Sequence, residues 1–178
     1  MAGGEAPEPT VIRALTASDV TDARALRIEA LRDSPRAFAT SVEEEEARSL
    51  EQTAARIEPG PGFVVLGAYD DVGRLVGMVG LRREDHAKER HKATLWGMYV
   101  TPGARGRGVA RALVQDLLER AAAMQGLRQV NLGVAADNEP ARRLYEAFGF
   151  ETFGLERNAL VVDGDDVDEL FMVRVIAG

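Results

Sequence analysis

The chain has 178 residues, 46% of them hydrophobic, 29% charged and 6% aromatic, with no cysteine, two histidines and a net charge of −7. That length suits one domain, able to bury about two-thirds of its unfolded surface. The lack of cysteine excludes disulfides, thiolate metal centres and a cysteine nucleophile, and the acidic balance argues against a nucleic-acid partner, whose binding needs cationic surface.

Residues 1–9 are rich in Gly, Pro and Glu and read as a flexible tail before a domain spanning 10–178. The tail lacks the basic-then-apolar order of a signal peptide. No run approaches the ~20 apolar residues of a membrane helix, so a cytoplasmic protein without a membrane partner is expected. Val11–Leu15 reads as a short strand, and Thr16 with Asp19 resembles a capping box opening a helix. In that helix Val20, Ala23, Leu26 and Ala30 share a face, and Ser34-Pro35 breaks it. The acidic run Glu43–Glu46 begins a second helix reaching about Ile57, and residues 58–62 form a Pro/Gly loop. Phe63–Tyr69 and Arg74–Leu81 flank Asp70-Asp71-Val72-Gly73 as a hairpin, followed by a polar connection over Arg82–Lys92.

Ala93–Val100 is a strand, TPGARGRG a loop, and Val109–Ala122 a helix with apolar residues at helical spacing. Gln129–Val134 is a further strand. Asn138 and Pro140 open a helix carrying Ala141, Leu144, Tyr145 and Phe148 on one face, which Gly149 ends. Phe150–Glu156 and Glu169–Ile176 are the last strands, joined by an acidic loop. The fold class is α/β (α+β): a single mixed sheet of six to seven strands flanked by about four helices.

Within this frame, VTPGARGRGVARALV passes from a strand through a Gly-rich turn into a helix. Free amides and the positive helix end coincide there, which is an anion site. Gly106 and Gly108 allow close approach of the backbone, and Arg105, Arg107 and Arg111 add charge suited to phosphate, although the same segment also reads as a solvated basic turn. Neither GxxxxGK[ST] nor GxGxxG fits, which disfavours a nucleotide triphosphatase. His86 and His91 do not form HExxH, so no metal is expected.

RGRGVA resembles the R/Q-x-x-G-x-G/A signature of the GNAT superfamily of N-acetyltransferases, with Arg105, Gly108 and Ala110 at its defining positions. Some thirty residues on, NLGVAADNEPARRLYEAFGF is similar to that family's second motif, and ALRDSPRAFATSVEEE to the first helices of many bacterial members. The resemblance implies an acetyl-CoA-dependent N-acetyltransferase whose cosubstrate lies between two parallel, diverging strands, here Ala93–Val100 and Gln129–Val134. It implies cofactor contacts from Met98, Tyr99 and Val100, from Arg105, Gly106, Arg107, Gly108, Val109, Ala110 and Arg111 around the pyrophosphate, and from Asn138, Ala141 and Tyr145. Arg142 and Arg143 are weaker candidates for the phosphates. Tyr145 matches the family tyrosine that faces the sulfur, a general acid for the departing thiolate, although its apolar face equally suits core packing.

The family often carries a Glu on the strand equivalent to Ala93–Val100, and here there is none. Glu84, Asp85, His91, Asp168, Glu169 or water are the remaining candidates for the base, while Trp96 suits either the acceptor site or the core. The resemblance puts the acceptor pocket at the first two helices and the last hairpin. Their carboxylates, Glu43–Glu46 with Asp163, Asp165, Asp166, Asp168 and Glu169, point to a cationic amine such as a polyamine, an aminoglycoside or a peptide N-terminus. A solvated helix face and a polar turn explain them too. The partners expected are acetyl-CoA and an amine acceptor, the protein being a monomer or homodimer. A non-catalytic acyl-CoA sensor and a nucleotide- or nucleic-acid-binding module are the rival readings.

Overall fold

A computed structural model describes residues 10–176, so the tail expected at 1–9 lies outside the described residues. The elements in order are β1 (Val11–Ala14), α1 (Val20–Asp33), α2 (Val42–Glu46), α3 (Leu50–Ile57), β2 (Phe63–Tyr69), β3 (Leu75–Arg83), β4 (Lys92–Val100), α4 (Val109–Ala123), β5 (Gln129–Ala135), α5 (Glu139–Ala147), β6 (Glu151–Val162) and β7 (Asp165–Val175). The strands form one mixed sheet in the order β1-β2-β3-β4-β5-β7-β6. Strand alternation sends side chains to two faces. Leu66, Val79, Leu81, Val130 and Leu132 meet α4 and α5 in one core cluster, while Val65, Met78 and Tyr99 meet α1 and α3 in another.

Two elements differ from the sequence expectation. The helix expected from Glu43 to Ile57 is two helices, because Ser49 opens a second capping box: its Oγ accepts from Gln52 N–H at 3.1 Å, while Gln52 Oε1 accepts from Ser49 N–H at 2.9 Å. Ser41 and Glu44 cap α2 in the same way. A local cap outcompetes continuous helix when it satisfies the same amides. The acidic loop expected over residues 157–168 is mostly strand. Asp163 and Gly164, at φ of 52° and 87°, form a two-residue turn that lets β6 and β7 extend around it.

The parallel pair β4 and β5 bears out the expected divergence. It is laddered only at Lys92↔Gln129, Ala93↔Val130 and Thr94↔Asn131. Beyond Thr94 the two strands part, although β5 remains paired with β7 through Ala135↔Glu169 and β4 with β3 through Gly77↔Val100. Gly97, at φ 65°, is part of a bulge in which Gly97 and Met98 stand opposite Val79. A left-handed glycine in a bulge bends its strand locally, and here the bend lies where β4 leaves β5.

Candidate active site

The gap between the strands leaves the β4 edge from Leu95 to Val100 without a strand partner on its β5 side. Backbone amides in such a place need another partner. Met98 and Val100 project to the α4 face, whereas Tyr99 is buried against α1 and donates its hydroxyl to Glu29 Oε1 at 3.1 Å. Any contact of Tyr99 with a ligand in the gap is therefore through its backbone.

At the end of β4 the chain turns into α4. Gly106 and Gly108 take φ of 75° and 83°, with open space around both. Gly108 is the N-cap residue, its carbonyl accepting from Ala112 N–H at 2.9 Å. The first-turn amides of Val109, Ala110 and Arg111 then have no acceptor from a preceding helical turn, which together with the helix dipole makes an anion cradle. The three arginines of the loop are not equivalent. Arg105 is a staple: Nε donates to Val100 O at 3.0 Å and Nη2 to Asp33 Oδ2, and this bond holds the Asp33 carboxyl below its usual pKa. Arg111 lies over the Phe148 ring at 5.0 Å and so ties the start of α4 to the end of α5. Arg107 is exposed.

Asn138 caps α5, its Oδ1 accepting from Ala141 N–H at 3.2 Å, which leaves its amide nitrogen as a donor. Arg142 lies 3.7 Å from Glu146 and Arg143 is hydrogen-bonded to Glu139, so both have partners on their own helix. Tyr145 is 5% exposed and packs edge-to-face on Phe150 at 5.7 Å. Its hydroxyl makes no hydrogen bond to a described residue, and burial pushes the phenol above its usual pKa. It remains protonated, and hence a donor, across the neutral range.

On the opposite face of the sheet, between α1, α3 and the parted strands, lies a cavity of about 700 Å³. Its wall includes Phe38, Phe63, Thr94, Trp96, Gly97, Gly133 and Glu169. Trp96 stacks on Phe63 at 6.2 Å and so serves both the core and the cavity wall. Of the expected base candidates only Glu169 lines this cavity. Its carboxylate lies across Gly133, and burial, with Glu156 nearby, raises its pKa. Glu84 sits behind the wall and accepts from Thr94 Oγ1 at 2.9 Å. Asp168 Oδ1 accepts from Asn158 N–H at 2.9 Å in the β6 bulge, while His91 joins the backbone network at the laddered end of β5. Asp85 is exposed on the polar connection.

The acidic runs are used locally. Glu44 is a cap, Glu45 and Glu46 pair with Arg48 and Arg32, and Asp163 to Asp166 form the hairpin tip. Arg27, Phe38, Gly97 and Gly133 escaped the sequence reading. Glycines inside two apolar strands were the available signal, since they mark close approach to a backbone. Among the described residues no group of His, Asp and Glu is placed to hold a metal ion, and no helix is long and apolar enough to cross a membrane.

Comparison with known proteins agrees with this geometry. The chain is 31% identical over 67% of its length to the L-amino acid N-acetyltransferase AaaT of Escherichia coli, covering 73% of that protein. It is 32% identical over 84% of its length to the mycothiol acetyltransferase of Brachybacterium faecium, spanning 44% of that longer chain. Among solved structures, a GNAT superfamily phosphinothricin acetyltransferase from Sinorhizobium meliloti in complex with AcCoA superposes with a TM-score of 0.81 at 26% identity, over 94% of this chain and 89% of that one. Residues 28–150 match the acetyltransferase (GNAT) family, and the chain, an N-acetyltransferase of the acyltransferase class, belongs to that family.

Proposed function

We propose that the protein moves an acetyl group from acetyl-CoA to a primary amine of a small molecule or a peptide N-terminus, by direct attack in the gap between β4 and β5. The observation that carries this reading is the arrangement of three features around one opening: the unpaired β4 edge, the amide cradle at the start of α4, and Tyr145 and Glu169 on opposite faces of the sheet. The open β4 edge suits the amides of a pantetheine arm, which would continue the sheet. The cradle from Gly106 to Arg111 suits a pyrophosphate, Arg105 acting by holding the loop in shape. Asn138 offers a side-chain donor beside the same opening, and Ala141 keeps the first turn of α5 slim.

Acetyl-CoA supplies an activated acetyl thioester. Glu169 takes the proton of the incoming ammonium, directly or through water, and its raised pKa makes it a better base than an ordinary carboxylate. The freed amine forms a bond to the acetyl carbon as the carbon–sulfur bond breaks. Tyr145 gives its proton, or a hydrogen bond, to the departing sulfur, and the second proton that the nitrogen loses as the amide forms passes to water, from which Tyr145 is reprotonated. The absence of a carboxylate from β4 is then explained by its supply from β7, across Gly133. We propose this for a cytoplasmic monomer or homodimer, with no metal taking part.

The test is release of free thiol from acetyl-CoA over a panel of amines, beside thermal unfolding with and without acetyl-CoA. Stabilisation together with amine-dependent thiol release supports transfer. Stabilisation without release from any amine would instead favour the non-catalytic sensor. A ligand that binds only the native state raises apparent stability by mass action, so the two readouts are independent.

A further inference from the structure

The cavity beside Glu169 carries a charge pattern opposite to that of the acidic runs in the sequence. Arg27, Arg56 and Arg82 line it, and none of the three has a side-chain hydrogen bond or ion pair with a described residue. Arg27 is the most enclosed. Its Nη1 is buried without a partner, and its guanidinium stacks on Phe38 with Cζ 4.5 Å from the ring centroid. Burial lowers its pKa; Glu45 opposes that effect, while Arg56 and Arg48 add to it. Glu45 lines a small adjoining cavity with Arg27, but its carboxylate is hydrogen-bonded to Arg48. Arg56 and Arg82 are exposed at the rim. The single carboxylate among the lining residues is Glu169.

A buried cationic nitrogen without an acceptor is costly, and three arginines facing one carboxylate leave the cavity with an excess of positive charge. A polyamine or aminoglycoside entering it would be repelled. An anion would be drawn in and would satisfy Arg27. The position is apt for a substrate, because a Cβ on Gly97 would stand only 4.0 Å from Arg27 Nη1. Arg27 thus reaches the bulge at which β4 parts from β5, while Glu169 bounds the cavity from the β5 side, across Gly133.

Resting on the acetyl-transfer reading above, we propose that the acceptor is a small amine that carries its own carboxylate. The carboxylate docks on Arg27, with Arg56 and Arg82 drawing it in at the rim, and the amine faces Glu169. Arg27 and Glu169 then form a two-point clamp that selects a zwitterion over a simple cation. The guanidinium fork suits a carboxylate because it offers two parallel donors.

The experiment measures thiol release from acetyl-CoA with the common L-amino acids, the same amino acids as C-terminal amides, and linear diamines and polyamines. The free carboxylates should lead in kcat/KM by roughly 10-fold to 100-fold, the worth of one charge-assisted hydrogen bond. Arg27→Gln and, separately, Arg56→Gln should shrink that carboxylate-to-amide ratio, mainly through KM of the carboxylate. A second readout needs no turnover: with CoA present, N-acetyl amino acids should raise the melting temperature more than N-acetyl amino acid amides. Amides or polyamines turned over as well as the carboxylates would overturn the proposal and leave acetyl transfer standing. A folded Arg27→Gln protein with an unchanged ratio would overturn it as well. If acetyl-CoA stabilises the protein but no amine releases thiol, the transfer reading fails, and this proposal with it.

Discussion

The carboxylate of Glu169 lies so close over Gly133 that a Cβ on that glycine would approach Oε1 to 2.5 Å. Glu169 is on β7 and Gly133 on β5, and the strands are in register through Ala135↔Glu169 and Gly133↔Phe171. The glycine clears the path by which a carboxylate from β7 reaches across β5 toward the gap beside β4.

If Glu169 is the base, Glu169→Gln should lower kcat/KM by about 10²–10⁴-fold. Activity in the parent should rise with pH through the raised pKa of this carboxyl, and that acidic limb should vanish in the variant. Stability should change the other way. A carboxyl whose folded-state pKa lies above its unfolded value favours folding at low pH, and that contribution is lost as pH rises through the folded value. At neutral pH the ionised group therefore opposes folding, and the glutamine protein should melt at the same temperature or higher. A melting temperature several degrees lower would indicate a structural role for Glu169.

Tyr145→Phe removes one hydroxyl and leaves the packing on Phe150 in place. Folding and acetyl-CoA affinity should stay near parental values while kcat falls by roughly 10-fold to 10²-fold, the low end for acid–base groups because a thiolate leaves readily. Single-turnover measurement of the chemical step decides it, and an unchanged rate there returns Tyr145 to the core.

At the loop, Gly108→Ala and Gly108→Glu separate strain from charge. Both place a side chain at φ 83°, where an L-residue costs about 1–3 kcal/mol. Only the glutamate sets a negative charge against the amide cradle of α4. The alanine protein should be less stable yet still be stabilised by acetyl-CoA, and the glutamate protein should lose that stabilisation. A Gly108→Glu protein that binds CoA as tightly as the parent would show that the phosphate lies elsewhere.

Asp19 is a structural counterpart to these site residues. It accepts from Arg13 Nη1 and Nη2 at 2.9 and 2.7 Å, from Thr16 N–H at 2.9 Å and from the Tyr69 hydroxyl at 3.2 Å. The bonds from Arg13, foremost, hold its carboxyl far below the usual range. A depressed pKa contributes stability above the unfolded value of about 3.9, and that stability is lost as pH falls through the folded one. Asp19→Asn should cost about 1.5–3 kcal/mol at pH 7, the range for a hydrogen bond to a charged group. The difference from the parent in chemical denaturation should narrow in strong acid.

The sequence by itself determined the elements that are decided locally. Thr16 and Asp19, the paired glycines before Val109 and the Asn138 cap of α5 act within a few residues of themselves, so each is legible without a partner. The helix break at Ser49 and the Asp163-Gly164 turn belong to the same class, because the Ser49–Gln52 cap and the Asp-Gly pair also act within a few residues. The acceptor cavity is different in kind. Arg27 and Glu169 are 142 positions apart in the 178-residue chain, and what brings them to one cavity is the order β4-β5-β7 together with the packing of α1 on the sheet. Net charge and acidic runs suggest a cationic acceptor, because composition sums every charge with equal weight. Tertiary structure assigns Glu44 of α2 to a cap and Glu45 and Glu46 to ion pairs, and leaves unpaired arginines in the cavity. A ligand responds to the charges that face it, and which charges those are is decided only when distant segments pack.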